Sequence, residues 1–86
     1  MRTRSMTREA IYDTLNEIFQ DVFDDETITV NETTTADDIE DWDSLEHINL
    51  VAAVEQAFGF KFTMGQVVTM KNVGEMVDII IEQIKD

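Results

Sequence analysis

Ser44 and His47 stand three residues apart, with Asp41 and Asp43 just upstream. A serine, a histidine and a carboxylate are the parts of an acyl-transfer triad, in which the imidazole takes the hydroxyl proton and the acid orients the ring. The spacing argues against that chemistry. Asp43-Ser44-Leu45-Glu46 opens a helical pattern, so Ser44 falls in a first turn, and both it and its i+3 neighbour point outward from the helix surface. No second segment offers an oxyanion hole, and a chain of 86 residues has little room for a cleft that excludes water. The chain is therefore not read as an enzyme. Ser44 is left as an exposed hydroxyl at a helix start, and His47 as a helix-surface or core-edge residue.

A second chemistry-bearing cluster is Asp37-Asp38-Ile39-Glu40-Asp41-Trp42-Asp43. It is rich in carboxylates but lacks the alternating oxygen ligands, the glycine at the sixth position and the terminal bidentate Glu of an EF-hand loop. No metal site is assigned, and diffuse divalent binding is the expectation.

Charge limits the partners. Residues 9–60 hold fifteen of the nineteen acidic residues and no Lys or Arg, and the whole chain carries a net charge of −13. Such a field repels nucleic acid and anionic membrane and attracts basic protein surfaces. No stretch approaches the length of a membrane span, and residues 1–6 lack the apolar run of a signal peptide, so no membrane insertion and a cytoplasmic location are expected. There is no cysteine, hence no disulfide and no protein thiol.

The elements that must position Ser44 are four helical patterns. Thr7 caps the first, whose Ile11, Leu15, Ile18, Phe19 and Val22 form one stripe of period 3.6. A long polar segment follows over residues 23–43, with a short turn near 36–40 and Ile28, Val30, Ile39 and Trp42 spaced to pin it to a core. The second helix runs from an Asp43 cap to Phe58, with Gly59 past its end, and Asp43 with Glu46 reads as a reciprocal capping box. Thr63 and Gln66 repeat the logic for a short third helix to about Thr69. Asn72 and Glu75 repeat it for a fourth, striped by Val73, Met76, Val77, Ile80, Ile81 and Ile84. The fold class is all-α, a four-helix bundle with a long first loop and a short third helix. A disordered segment is expected at 1–6 and one domain over 7–86.

The second helix is apolar on two sides. His47, Leu50, Val51, Val54 and Phe58 share one face, which suffices to meet a core. Leu45, Ile48 and Ala52 share another, which a small bundle leaves exposed for a partner. Asp41, Asp43, Glu46 and Glu55 would rim that face and steer a basic partner into register.

Asp43-Ser44-Leu45, opening a helix that closes on Glu55-Gln56-Ala57-Phe58-Gly59, resembles the attachment motif of acyl carrier proteins. The resemblance extends from about Thr7 to Ile84 through the helix order, the long first loop and the acidic charge. It implies that Ser44, beside Asp43, receives 4′-phosphopantetheine from coenzyme A by way of a magnesium-dependent phosphopantetheinyl transferase. The arm would hold acyl, aminoacyl or polyketide-type intermediates as thioesters. It further implies recognition by transferases, ligases or synthases with basic surfaces, through Asp41, Leu45, Glu46, Ile48, Asn49, Ala52 and Glu55. An acyl chain retreating between the helices would meet Ile48, Leu50, Val54, Phe62, Val67, Val68 and Ile80. A phosphodiester at Ser44 would face free first-turn amides and the positive end of the helix dipole, worth ~0.3–1 kcal/mol. Asp41-Trp42 replaces a glycine common before the serine, Asn49 replaces a frequent acid, and Ala52 replaces a bulkier apolar residue. These departures leave the carrier role intact, and a dedicated carrier in a specialised pathway fits at least as well as service to housekeeping fatty-acid biosynthesis. Trp42 reads as a loop anchor or as a contact for the arm. The rival expectation is an acidic, monomeric interaction module in which Ser44 has no chemistry.

Overall fold

A computed structural model describes residues 7–84. Helix α1 spans Arg8–Val22, α2 Ser44–Phe58, α3 Met64–Thr69 and α4 Val73–Ile84, with a 3₁₀ turn at Ala36–Asp38 in the long first loop. No strand occurs among the described residues, so the all-α, four-helix expectation holds. The expected disorder at 1–6 lies outside the described residues.

Each helix starts where a short polar side chain can satisfy an orphan amide. The Thr7 hydroxyl accepts from the Ala10 amide at 3.0 Å. Thr63 and Gln66 form a full capping box on α3, with bonds of 2.9 and 3.1 Å. The box expected at α2 is only half made. The Asp43 carboxylate accepts from the Glu46 amide at 2.9 Å, but the Asp43 amide already donates to the Asp41 carbonyl at 3.0 Å. Glu46 therefore turns away and accepts from the Asn49 side-chain amide at 3.0 Å. At α4, Asn72 accepts from the Glu75 amide, while the Glu75 carboxylate reaches one residue further back, to the Lys71 amide at 3.1 Å. Gly59 ends α2 at φ 75°, a left-handed conformation that glycine adopts without a Cβ clash.

Ile11, Leu15 and Phe19 make α1 the central element, fully buried against Leu50 and Val54 of α2 and Val73, Val77 and Ile80 of α4. Helix α3 contributes no buried residue. The first loop is ordered by bonds to the helices rather than by regular structure. Asn16 of α1 accepts from the Val30 amide at 2.7 Å, and Gln20 donates to the Ile28 carbonyl at 2.9 Å. Val30 is buried, and Ile28, Ile39 and Trp42 pack half-buried on the core, as their spacing suggested. The loop in turn caps α4: the Thr34 and Glu32 carbonyls accept from the Val73 and Gly74 amides at 2.8 and 3.1 Å.

That close approach needs glycine. A Cβ at position 74 would stand 2.7 Å from the Glu32 carbonyl oxygen, a backbone atom that cannot swing aside. Arg8 ties the same corner together, pairing with Glu32 through two bonds of 2.6 and 2.7 Å and with Asp78 of α4 at 2.9 Å. Hydrogen bonds from Arg8 hold the Glu32 carboxyl below the usual range, and the two carboxylates raise the Arg8 guanidinium in return. Burial pushes the Tyr12 phenol up to about 12, aided by the nearby Glu32 carboxylate.

Two outcomes are expected at this corner. Gly74→Ala should lower stability by about 1–3 kcal/mol through overpacking, several degrees in a thermal melt followed by circular dichroism. Glu32 has a depressed folded pKa, so its pairing stabilises fully above the ordinary Glu value of about 4.3 and is lost as pH falls through the lower folded value. Arg8→Gln should therefore melt below wild type at pH 7, and the gap should close toward pH 2. A gap that stays constant over that range would assign Arg8 a packing role alone.

Candidate functional site

The site is built on the half of α2 that the core does not use. Leu50, Val51 and Val54 point inward and are buried, whereas Leu45 is 67% and Ile48 62% exposed, and Ala52 is exposed beside them. Helix α3 extends this apolar surface with Met64 and Val68, exposed by 78% and 75%. Between α2 and α3 runs an open groove of about 940 Å³, lined by Ser44, Ile48 and Ala52 on one side and Val67 and Val68 on the other.

Ser44 is the first residue of α2 and is exposed. Its Asp43 neighbour uses its carboxylate on the Glu46 amide, and the His47 amide bonds the Asp43 carbonyl at 2.8 Å. The amides of Ser44 and Leu45 have no acceptor among the described residues. A hydroxyl beside two free amides at the positive end of a fifteen-residue helix suits attachment of a phosphate ester, even among carboxylates.

His47 does not point outward as its spacing suggested. Its ring lies half-buried between the first loop and α3, with Nδ1 accepting from Trp42 Nε1 at 3.0 Å and Nε2 at 3.2 Å from the Val67 carbonyl. Both ring nitrogens are thus engaged, and neither faces the Ser44 hydroxyl as a general base would. Trp42 stacks on the His47 ring and meets Phe19 edge-on at a centroid distance of 5.3 Å.

The structure brings together some of the residues expected at the site and separates others. Ile48, Val67 and Val68 line the groove, whereas Leu50, Val54 and Ile80 are fully buried in the closed core, and Phe62 packs against that core edge-on to Phe60. Asp41, Leu45 and Asn49 are exposed and Glu46 half-exposed around the α2 start. Glu55 does more than rim the face: its carboxylate accepts from the Phe62 amide at 2.8 Å and fixes the turn leading to α3. Sequence reasoning missed the groove residues Met64, Met70 and Lys71. Met64 with Val68, apolar at i and i+4 on a helix too short to bury either, was the available signal. The Trp42–His47 bond spans a loop and a helix, and no periodicity announces it.

Residues 13–80 match a family model described as a phosphopantetheine attachment site. The acyl carrier protein of Coprothermobacter proteolyticus is 40% identical over 80 residues, spanning 87% of this chain and 92% of that one. The chain belongs to the acyl carrier protein family. The solution structure of a holo acyl carrier protein from Geobacter metallireducens superposes with a TM-score of 0.79 at 40% identity, covering 84% of this chain and 83% of that one. A member of this family is a carrier and not an enzyme, in keeping with a serine that no ring nitrogen addresses. Its prosthetic group is a covalent 4′-phosphopantetheine. The chain suits that group: it supplies no thiol of its own and presents a serine hydroxyl free of the core.

The split between the two faces of α2 can be tested by truncation. Leu50→Ala should cost ~2–5 kcal/mol, as buried leucines do. Leu45→Ala should melt close to wild type. A Leu45→Ala protein that melts as low as the Leu50 variant would place Leu45 in the core and remove the exposed apolar face.

Proposed function

We propose that Ser44 is the attachment residue of this carrier and that the exposed face of α2 is where its enzymes dock. The observation that carries the reading is the position of Ser44: an exposed hydroxyl on the first turn of α2, inside the matched segment, with free amides beside it. Asp43 prepares that position by capping the helix with its carboxylate, which keeps the serine at the surface. When attached, the arm supplies the terminal thiol that holds cargo as a thioester.

The cargo is acyl, aminoacyl or polyketide-like. A dedicated pathway is favoured over housekeeping fatty-acid synthesis by Asp41-Trp42 and by Asn49, which spends its side chain on Glu46. We read the protein as a cytoplasmic monomer served by a phosphopantetheinyl transferase and by ligases, transferases or synthases with basic surfaces. Asp41 and Glu46 steer such partners at long range, while Leu45, Ile48 and Ala52 act after contact, burying apolar area worth roughly 1.5–3 kcal/mol per fully covered large side chain.

Incubation with coenzyme A, magnesium and a broad-specificity transferase should add the mass of one phosphopantetheine to wild type. Ser44→Ala should stay helical and gain nothing. Modification that persists in the variant would move the site elsewhere. No gain in wild type with several transferases would leave the acidic interaction module. Joint Asp41→Asn and Glu46→Gln changes should slow association with the transferase and flatten its salt dependence, whereas Leu45→Ala should mainly speed dissociation. Equal effects on both rates from both variants would dissolve the division between steering and grip.

A further inference from the structure

The bond between Trp42 and His47 has a property that the carrier role does not require. An indole N–H can only donate, so at the 3.0 Å contact the His47 Nδ1 must be the acceptor. The ring proton of the neutral imidazole then sits on Nε2 and donates to the Val67 carbonyl at 3.2 Å. One tautomer of one protonation state therefore links three segments: the loop residue two before Ser44, the second turn of α2, and α3. Few other bonds hold α3 in place. It has no buried residue, and among the described residues the Val67 carbonyl is its one hydrogen-bond link to α2.

A second proton on His47 must go to Nδ1. The ring would then point an N–H at the Trp42 N–H, two donors at hydrogen-bond distance, while the bond to Val67 survives with Nε2 still donating. We propose that His47 is a proton-operated latch on Trp42: the neutral ring clamps the segment before Ser44 against the groove, and the protonated ring releases that segment while keeping α3 tethered. Trp42 and His47 both line the groove that Ser44 opens onto, so release loosens the wall nearest the serine. The charged groups that line the groove with the ring are Asp43 at the α2 cap, Glu55 on α2 and Lys71, and Asp41 and Glu46 are its carboxylate neighbours in sequence. Helix α3 offers no titratable group, and α1 meets the pair through Phe19 and Phe23. The latch is a property of the unmodified chain and stands or falls independently of Ser44 chemistry.

Trp42 is the only tryptophan and His47 the only histidine, so each reports without ambiguity. In ¹⁵N-labelled wild type at pH 7.5, long-range proton–nitrogen correlations should show Nε2 protonated and Nδ1 bare. As the pH is lowered from 7.5 and the ring takes up its second proton, the Trp42 indole proton should shift upfield with it, and quenching of its fluorescence by acrylamide should rise, with the far-ultraviolet circular dichroism unchanged. His47→Gln should abolish the pH response of both signals, at low and at high salt, which separates the ring from the neighbouring carboxylates. The proposal is overturned by an Nδ1-protonated ring at pH 7.5, by an indole signal that ignores the titration, or by the same pH response in His47→Gln.

Discussion

The edge-on contact between Phe19 and Trp42 joins two parts of the molecule that would otherwise be independent. Phe19 is the fully buried end of the α1 stripe, and Trp42 is the last large apolar residue before the helix that carries the serine. A chain this short buries a limited fraction of its surface, and its core is already spent on α1, α2 and α4. The segment ahead of Ser44 therefore has no regular partner. Besides Ile39, it is held by one aromatic ring that touches the core on one edge and bonds His47 through the other. The position of the α2 start, and hence of the serine, depends on that ring.

Electrostatics work against compactness in the same region. Between Glu9 and Phe60 no basic residue relieves the carboxylates, so the single Arg8 at the head of α1 becomes the cation that joins the loop to α4. Its pair with Glu32 is exposed and so is modest in energy. Its value lies in geometry, because the same Glu32 supplies the carbonyl that caps α4 above Gly74. Backbone capping, the glycine and the ion pair converge on one corner, far in sequence from the serine. That corner lets a loop of more than twenty residues lie fixed over the core with only one short 3₁₀ turn of its own.

Much of this was legible in the residues themselves. The four helices declared themselves through caps and period, and the pinning role of Val30, Ile39 and Trp42 through their isolation in a polar loop. The two faces of α2 were legible because a helix in a small bundle can bury only one of them, and Leu45 and Ile48 are indeed exposed. The lining of the groove was legible only in part, through Ile48, Val67 and Val68. Leu50, Val54 and Ile80 are apolar and on the expected helices, but depth decides between core and groove, and depth depends on crossing geometry that no single helix pattern contains. His47 was legible as a core-edge residue but not in its partners: spacing within α2 places it near Ser44, while the groups it bonds come from a loop and from α3. Glu46 failed locally, because the Asp43 amide had a nearer acceptor in Asp41.

Helix α3 draws these strands together. Residues 56–74 contain no acid, and their only charges are Lys61 and Lys71, although the chain as a whole carries −13. The groove thus has one wall, α2, that begins among carboxylates, and another, α3, that carries none and exposes Met64 and Val68 instead. An acidic α3 would be pushed from α2 by like charge, and with no buried side chain it would have little to resist the push. A neutral α3 can stay beside α2 on one bond from His47. The acid-free stretch is therefore a structural requirement before it is a feature of recognition: it lets a helix too short to reach the core stay in place beside the serine.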